Sequence, residues 1–502
     1  MPKRAAIIAA PDIFLDPSIA APLYRQLYER LRAHILTGQL EIGARLPSTR
    51  ALAGQLGVSR NTTALAYDML LSEGYIESRV GDGARVARTQ PEQAMRAPRH
   101  RLRTRAEALS TQPVALARRG QTLLDTPHPG TLYGAQTGRE RHTFRGGEPD
   151  VASFPFETWT RLLTRHARHS LPSAALYQPA HGYLPLREAI AAHIGITRGV
   201  RCSPEQVIIT SGSQGALDLV ARTLLDPGDS AWVEDPGYLG ARGALLAAGA
   251  RLVPVPVDRD GLQVTAGRVM APDARLAVIT PSHQFPTGVT MSLSRRLALL
   301  SWAREARAWI VEDDYDSEYR YSGRPLEALQ GIDRAGVTVY IGTFSKTLFP
   351  ALRLGYLVAP PALVDGLIAT RRFVDVHLPP LDQMALADFI AEGHYARRLR
   401  RTRLLYMQRR DALYQALTKT LGAQLEVDLP EAGMHLVAWL PETLRAGDVA
   451  NRAAAVGISV MPIIGSEERP LPREGLLFGF AGAPPDELRE GVRALAKALR
   501  TT

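Results

Sequence analysis

The chain has 502 residues, 45% hydrophobic and 22% charged, with a formal net charge of +10. That length asks for two or three domains, and that composition fills globular cores and excludes wholesale disorder. The lone cysteine, Cys202, excludes an internal disulfide framework, and no apolar run reaches the roughly 18 residues of a membrane-spanning helix.

The opening residues pair Lys3 and Arg4 with an apolar run that Pro11 and Asp12 cut short. That run is too brief for a secretory core, so a cytoplasmic location is expected. The charge is lopsided. Residues 1–122 hold 18 Lys and Arg against 10 Asp and Glu, while the other 380 hold 42 against 40. A net of +8 therefore falls on the first quarter of the chain, the footprint of a nucleic-acid-binding module joined to a near-neutral one.

Leu23, Leu27, Leu31 and Ile35 recur every four residues and predict a helix that Gly38 ends. Ser48 caps a second helix over 49–56, Gly57 makes the turn, and Ser59 caps a third over 60–72. Two short helices across a glycine turn predict a helix-turn-helix whose third helix enters the major groove by its N-terminus. Two short strands around Gly81, Asp82 and Gly83 follow as a hairpin wing. Residues 89–140 carry Pro91, Pro98, Pro113, Pro127 and Pro129 and the run Arg99-His100-Arg101-Leu102-Arg103-Thr104-Arg105. They read as a linker, either a solvated basic tether or an arm that touches phosphates.

From 141 onward the pattern is strand and helix in alternation. Strands are expected at 207–210, 230–233, 252–257, 276–280, 309–311, 337–341 and 354–358, and helices at 215–225, 294–306 and 361–374. This predicts an α/β domain with a mostly parallel sheet covered on both faces, followed from about 390 by a smaller α+β subdomain.

The expected strands end in chemistry-bearing turns. Lys346 stands in Gly342-Thr343-Phe344-Ser345-Lys346, with Arg353 seven residues on. Thr210-Ser211-Gly212-Ser213-Gln214 opens a helix, a ready anion site. Asp313, Asp314 and Tyr315 end another strand, and Tyr238 and His283 lie in turns after two more. The acidic run lacks the glycine and twelfth-position Glu of a calcium loop, and no metal site is expected. Together the set asks for a cofactor with a phosphate, an aldehyde for the lysine, a ring nitrogen for a carboxylate and a flat face for an aromatic ring. Pyridoxal 5′-phosphate has all four.

Two resemblances carry the reading further. Pro22-Leu23-Tyr24, Arg45-Leu46-Pro47-Ser48-Thr49-Arg50, Leu56-Gly57-Val58-Ser59-Arg60 and Glu73-Gly74 resemble the winged-helix domain of GntR-family transcription regulators over 12–88. That resemblance implies DNA contacts from Arg50, Arg60, Asn61 and Thr62, with Ser48 and Ser59 as phosphate or cap contacts. Residues 141–502 resemble fold type I pyridoxal-phosphate enzymes of the aspartate aminotransferase class. This resemblance implies that Lys346 is the Schiff-base lysine and that Asp313, rather than Asp314, pairs with the ring nitrogen. Tyr315 would bond the phenolic oxygen and Tyr238 would stack on the ring. Ser211, Gly212, Ser213, Gln214, Thr343, Ser345 and Arg353 would hold the phosphate. Tyr177 would reach the phosphate of a second subunit, which implies a homodimer.

Two departures stand out. The family's Asn-Pro turn is here Phe285-Pro286, leaving His283 or Gln284 to replace the Asn. Leu477 stands where the family places a carboxylate-binding arginine, with Arg473 nearby in sequence. The whole chain resembles the MocR-type subfamily. The implied function is a regulator that senses pyridoxal phosphate or an amino compound through an aldimine at Lys346 and alters promoter binding. The competing expectation is a working aminotransferase with an appended DNA-binding domain.

Overall fold

The computed structural model describes residues 13–19, 21–79, 83–87, 116–127, 142–170, 174–323, 326–466, 469–471 and 473–500. The chain divides into two units, 1–115 and 116–502. Among the described residues no helix is long and apolar enough to cross a membrane.

In the first unit, helix α1 (Leu23–Leu36) buries Leu27, Leu31 and Ile35, the stripe its four-residue spacing predicts. Helix α2 (Thr49–Leu56) is capped by Ser48, whose side chain accepts from the Ala51 amide at 3.2 Å. Gly57 ends it at φ +65°, a left-handed conformation that costs glycine nothing. Helix α3 (Arg60–Ser72) is capped by Ser59, which accepts from the Thr62 amide at 3.0 Å. Thr63 donates to the Thr49 carbonyl at 2.9 Å and ties α3 to α2. Strands β1 (Ile76–Arg79) and β2 (Gly83–Val86) pair antiparallel, Ile76 opposite Val86, as the wing. Of the expected turn, Gly81 and Asp82 lie outside the described residues. Leu27, Leu31, Ile35, Leu52, Ala66, Leu70, Ile76 and Val86 make one core.

Of the stretch read as linker, the arginine-rich run lies outside the described residues. Residues 118–125, however, form a helix, and Arg119 reaches the Ala247 carbonyl on the helix Leu239–Ala248. The linker reading is amended there. This short helix keeps Leu123 and Leu124 exposed, so it carries no buried stripe for periodicity to reveal.

The second unit is built on an eight-stranded sheet. Its order is Val207–Thr210, Gly355–Val358, Thr338–Thr343, Trp309–Asp314, Leu276–Ile279, Ser230–Asp235, Arg251–Asp258 and Gly261–Leu262. All seven expected strands are present, with ends shifted by a few residues. The five strands from 338–343 to 251–258 are mutually parallel, and 355–358 runs against both its neighbours. Valine and isoleucine fill these strands because both faces are covered, as the stacked pair Trp232 and Trp302 at 3.7 Å illustrates on one side. The C-terminal subdomain pairs Glu426–Val427, His435–Trp439, Gly475–Gly479 and Met461–Ile463 antiparallel, behind the 28-residue helix His394–Leu421. It also takes strand His142–Thr143 beside Ile458–Ser459, so residues near 142 belong with it as well as those after 390.

Candidate functional site

The carboxyl ends of the parallel strands converge on one cavity, the place where open α/β sheets bind ligands. Its wall is made by Gly146, Gly147, Ser213, Gln214, Tyr238, Thr280, Phe285, Asp313, Tyr315, Thr343, Ser345, Lys346 and Arg353. Nine of the thirteen expected cofactor residues are therefore brought together.

Lys346 lies in the turn after strand 338–343, and its Nζ donates to the Gly147 carbonyl at 3.0 Å. Gly147 has φ +70°, and a Cβ there would stand 2.8 Å from that Nζ. The left-handed backbone there favours glycine, and a side chain would crowd the lysine. Burial lowers the Lys346 pKa, against the opposing charges of Asp316, Asp313 and Glu148. A lysine so placed reaches its neutral, nucleophilic form more easily.

Asp313 and Asp314 are separated by the strand's alternation. Asp314 turns away from the cavity to Arg198 at 2.7 Å and accepts from the Tyr340 hydroxyl at 2.6 Å. Asp313 is buried in the cavity wall, and its Oδ1 has no hydrogen-bond partner. Burial pushes its carboxyl up to about 7, with Asp314 adding to the rise and Lys346 opposing it. A buried acceptor without a donor is costly.

At the other end, the helix Gly212–Leu224 presents its N-terminus beside Arg353, whose Nη2 donates to the Ser211 carbonyl at 2.9 Å. Ser213, Gln214, Thr343 and Ser345 complete that end. Ser211 and Gly212 stand behind Arg353 and do not line the wall. Tyr238 and Phe285 meet edge to face at 6.0 Å, which sets the aromatic side of the cavity.

Two expected residues are placed differently. His283 does not line the cavity; it is buried behind Tyr315, with its Nδ1 at 3.0 Å from the Tyr315 hydroxyl. His283 is thus not among the residues that line the cavity, whereas Phe285 is. Tyr177 is 88% exposed and lies outside the cavity. Arg473 is also accounted for: it donates to the Leu440 carbonyl at 2.9 Å and pairs with Glu426. Leu477 is fully buried against Val437, Met461 and Ile463, with Phe285 packed on the same cluster.

Sequence reasoning missed Gly147, Thr280 and Arg198. Thr280 is held by the buried Glu234, which accepts from its hydroxyl at 2.6 Å. Gly147 and Arg198 lie 199 and 116 residues from their partners, too far for any local pattern to reveal.

In the first unit, Ser48, Arg50, Ser59, Arg60 and Asn61 are exposed and Thr62 half-buried, clustered at the N-termini of α2 and α3. Two exposed arginines beside two helix N-termini form an anion-attracting surface suited to a phosphate backbone.

Each unit matches a known family. Residues 23–86 match the family of bacterial regulatory proteins of the gntR family, and residues 146–495 match aminotransferase class I and II. The chain is 44% identical, over 97% of its length and 96% of the relative's, to a probable rhizopine catabolism regulatory protein MocR of Rhizobium meliloti. It is 32% identical, over 98% of its length and 99% of the relative's, to the pyridoxine biosynthesis transcriptional regulator PdxR of Corynebacterium glutamicum. Among solved structures it resembles LysN, the alpha-aminoadipate aminotransferase of Thermus thermophilus, complexed with N-(5'-phosphopyridoxyl)-L-leucine. That match has a TM-score of 0.65 at 31% identity, over 74% of this chain and 96% of the other. The chain belongs to the MocR-type transcription regulators, in which a GntR-family DNA-binding domain and an aminotransferase class I and II domain share one polypeptide.

Proposed function

We propose that the chain regulates transcription by binding promoter DNA through its winged helix, and that its second unit holds pyridoxal 5′-phosphate and senses an amino compound. The observation that carries this reading is the pairing, in one cavity, of a lysine with a lowered pKa and a buried carboxylate with a partnerless oxygen. The residues fit the cofactor. Asp313 Oδ1 lacks the donor that a protonated ring nitrogen would be, and the helix N-terminus beside Arg353 suits an anion.

When bound, the cofactor supplies an aldehyde that joins reversibly to amines and a ring that withdraws electrons. Lys346 provides the resident amine, and its neutral form is favoured by burial. Asp313 would keep a proton on the ring nitrogen, Tyr315 would contact the phenolic oxygen, and Tyr238 would cover the ring face. Ser213, Gln214, Thr343, Ser345 and Arg353 would hold the phosphate together with the amides of the helix start. An amine entering the cavity would take the place Lys346 otherwise holds, so occupation of the cavity would differ with and without effector. Only such a difference in interaction can shift the protein between states of unequal DNA affinity.

The two positions weighed as a carboxylate clamp favour sensing over turnover. Leu477 offers no cation and Arg473 is committed to Glu426, so neither clamps a substrate carboxylate as efficient transamination requires. The exposed Tyr177 is the side chain a second copy would receive, and a homodimer is part of this reading.

The test is operator affinity at one salt concentration, measured with saturating cofactor across a panel of amines. The reading expects at least one amine to change the affinity of the full chain and to leave Lys346→Ala unaffected. Affinity that stays constant across the panel, or steady turnover of an amino donor and a keto acid, contradicts it.

A further inference from the structure

The charges around the cavity are unevenly placed, and their placement bears on which amines it can take. Of the described residues that line it, Lys346 and Arg353 alone carry a permanent positive charge. Arg353 stands at the anion-binding end, where its Nη2 donates to the Ser211 carbonyl at 2.9 Å. The Lys346 amine, by contrast, feels three acids: Asp316, Asp313 and Glu148 each favour its charged form. That field attracts an ammonium group and opposes an anion.

A further side of the cavity, at Gly146 and Phe285, is backed by the C-terminal subdomain. Strand Gly475–Gly479 sets Leu477 opposite Val437 on one neighbouring strand and Met461 on the other. Residues opposite one another share a face of the sheet, and Trp439 and Ile463, two positions on, share it too. All five are apolar, and Phe285 packs on them. Leu477 is fully buried and packs on the cavity wall itself, since a Cβ at Gly146 would fall 2.6 Å from its Cδ2. Arg473, just before the strand, is held by the Leu440 carbonyl and by Glu426.

A carboxylate on the carbon that bears an effector's amino group is two bonds from the amine nitrogen. It therefore enters the same surroundings as the Lys346 amine, among three acids and beside an apolar wall. A charge taken from water into such a place is costly unless a cation pairs with it.

We propose that the effector is a primary amine without a carboxylate on its amino-bearing carbon, and that Leu477 and Phe285 select it by giving that side of the cavity an apolar backing. The inference rests on the reading that the cavity holds pyridoxal phosphate and senses an amino compound, and it names the class of that compound. It makes Leu477 a specificity-determining residue that acts through the wall at Gly146.

The test uses pairs of amines that differ only by the carboxylate: ethanolamine and serine, propylamine and 2-aminobutyrate, phenethylamine and phenylalanine. Each is titrated into the loaded full chain and, as reference, into free pyridoxal phosphate in the same buffer, with the cofactor's absorbance as readout. Relative to the reference, the carboxylate-free member of a pair should act at a concentration lower by about tenfold or more. Leu477→Arg should shrink or reverse that preference, because it sets a cation behind Gly146, whereas Leu477→Met should keep it. Should Leu477→Arg fail to fold, the parent titrations decide alone. A parent chain that treats the members of each pair alike, or prefers the amino acids, overturns the inference, and so does an unaltered preference in a folded Leu477→Arg. The underlying reading fails differently: no cofactor band overturns the cofactor, and a band that no amine alters overturns the sensing.

Discussion

Arg198 Nε lies 2.7 Å from Asp314 Oδ2, with both side chains almost fully buried at the end of the central strand. The guanidinium also donates to the Ser282 hydroxyl at 2.6 Å and to the Leu326 carbonyl. One of two adjacent carboxylates is thereby neutralised by the fold, and the other, Asp313, is left for the cavity.

Removing one partner of such a pair strands the other charge in a low-dielectric interior. Arg198→Met should therefore cost about 3–5 kcal/mol of stability, read from urea denaturation of the second unit's transition in the full chain. A loss below about 1 kcal/mol would show that Asp314 is protonated or solvated and does not depend on Arg198.

Asp313 sets a pH dependence. Its carboxyl rises from 3.8 to about 7 because burial penalises the charge. In the cofactor-free chain the folded state holds a proton there that the unfolded state has already released. The stabilising contribution is therefore complete below about pH 4 and is lost as pH rises through about 7. The stability of Asp313→Asn relative to the parent should grow by about 2–4 kcal/mol between about pH 4 and pH 8. Parallel stability curves for the two proteins would remove Asp313 as the titrating group. With cofactor present, the same substitution should weaken cofactor retention, because the ring nitrogen loses its anionic partner.

The DNA-facing prediction is separable from the cofactor. Arg60 is exposed at the N-terminus of α3, clear of the core that α3 buries. Arg60→Ala should weaken operator binding by about 1–3 kcal/mol at fixed salt and leave the cofactor spectrum unchanged. Unchanged operator affinity would take Arg60 off the reading helix.

The sequence makes some of these features visible and hides others for physical reasons. The winged helix is legible because its signals are local: leucine spacing in α1, serine caps at Ser48 and Ser59, and the glycine turn at Gly57. The strands of the sheet are legible because burial on both faces leaves uninterrupted runs such as Val207–Thr210. The residues expected to hold the cofactor are legible because they cluster at strand ends. What sequence reasoning misses is long-range. Nothing near residue 346 announces Gly147, and nothing near 198 announces Asp314. His283 is read as a contact because it neighbours the expected Asn position, whereas the fold turns Phe285 to the cavity and sets His283 behind Tyr315. The helix at 118–125 escapes because it is held by its polar face and shows no apolar stripe.

The measurement closest to the centre of the account is borohydride reduction of the purified full chain with pyridoxal 5′-phosphate, followed by peptide mass mapping. The account predicts a single phosphopyridoxyl adduct, on the peptide containing Lys346, and none in Lys346→Ala. An adduct spread over Lys3, Lys419 and Lys497, or no adduct at all, contradicts it.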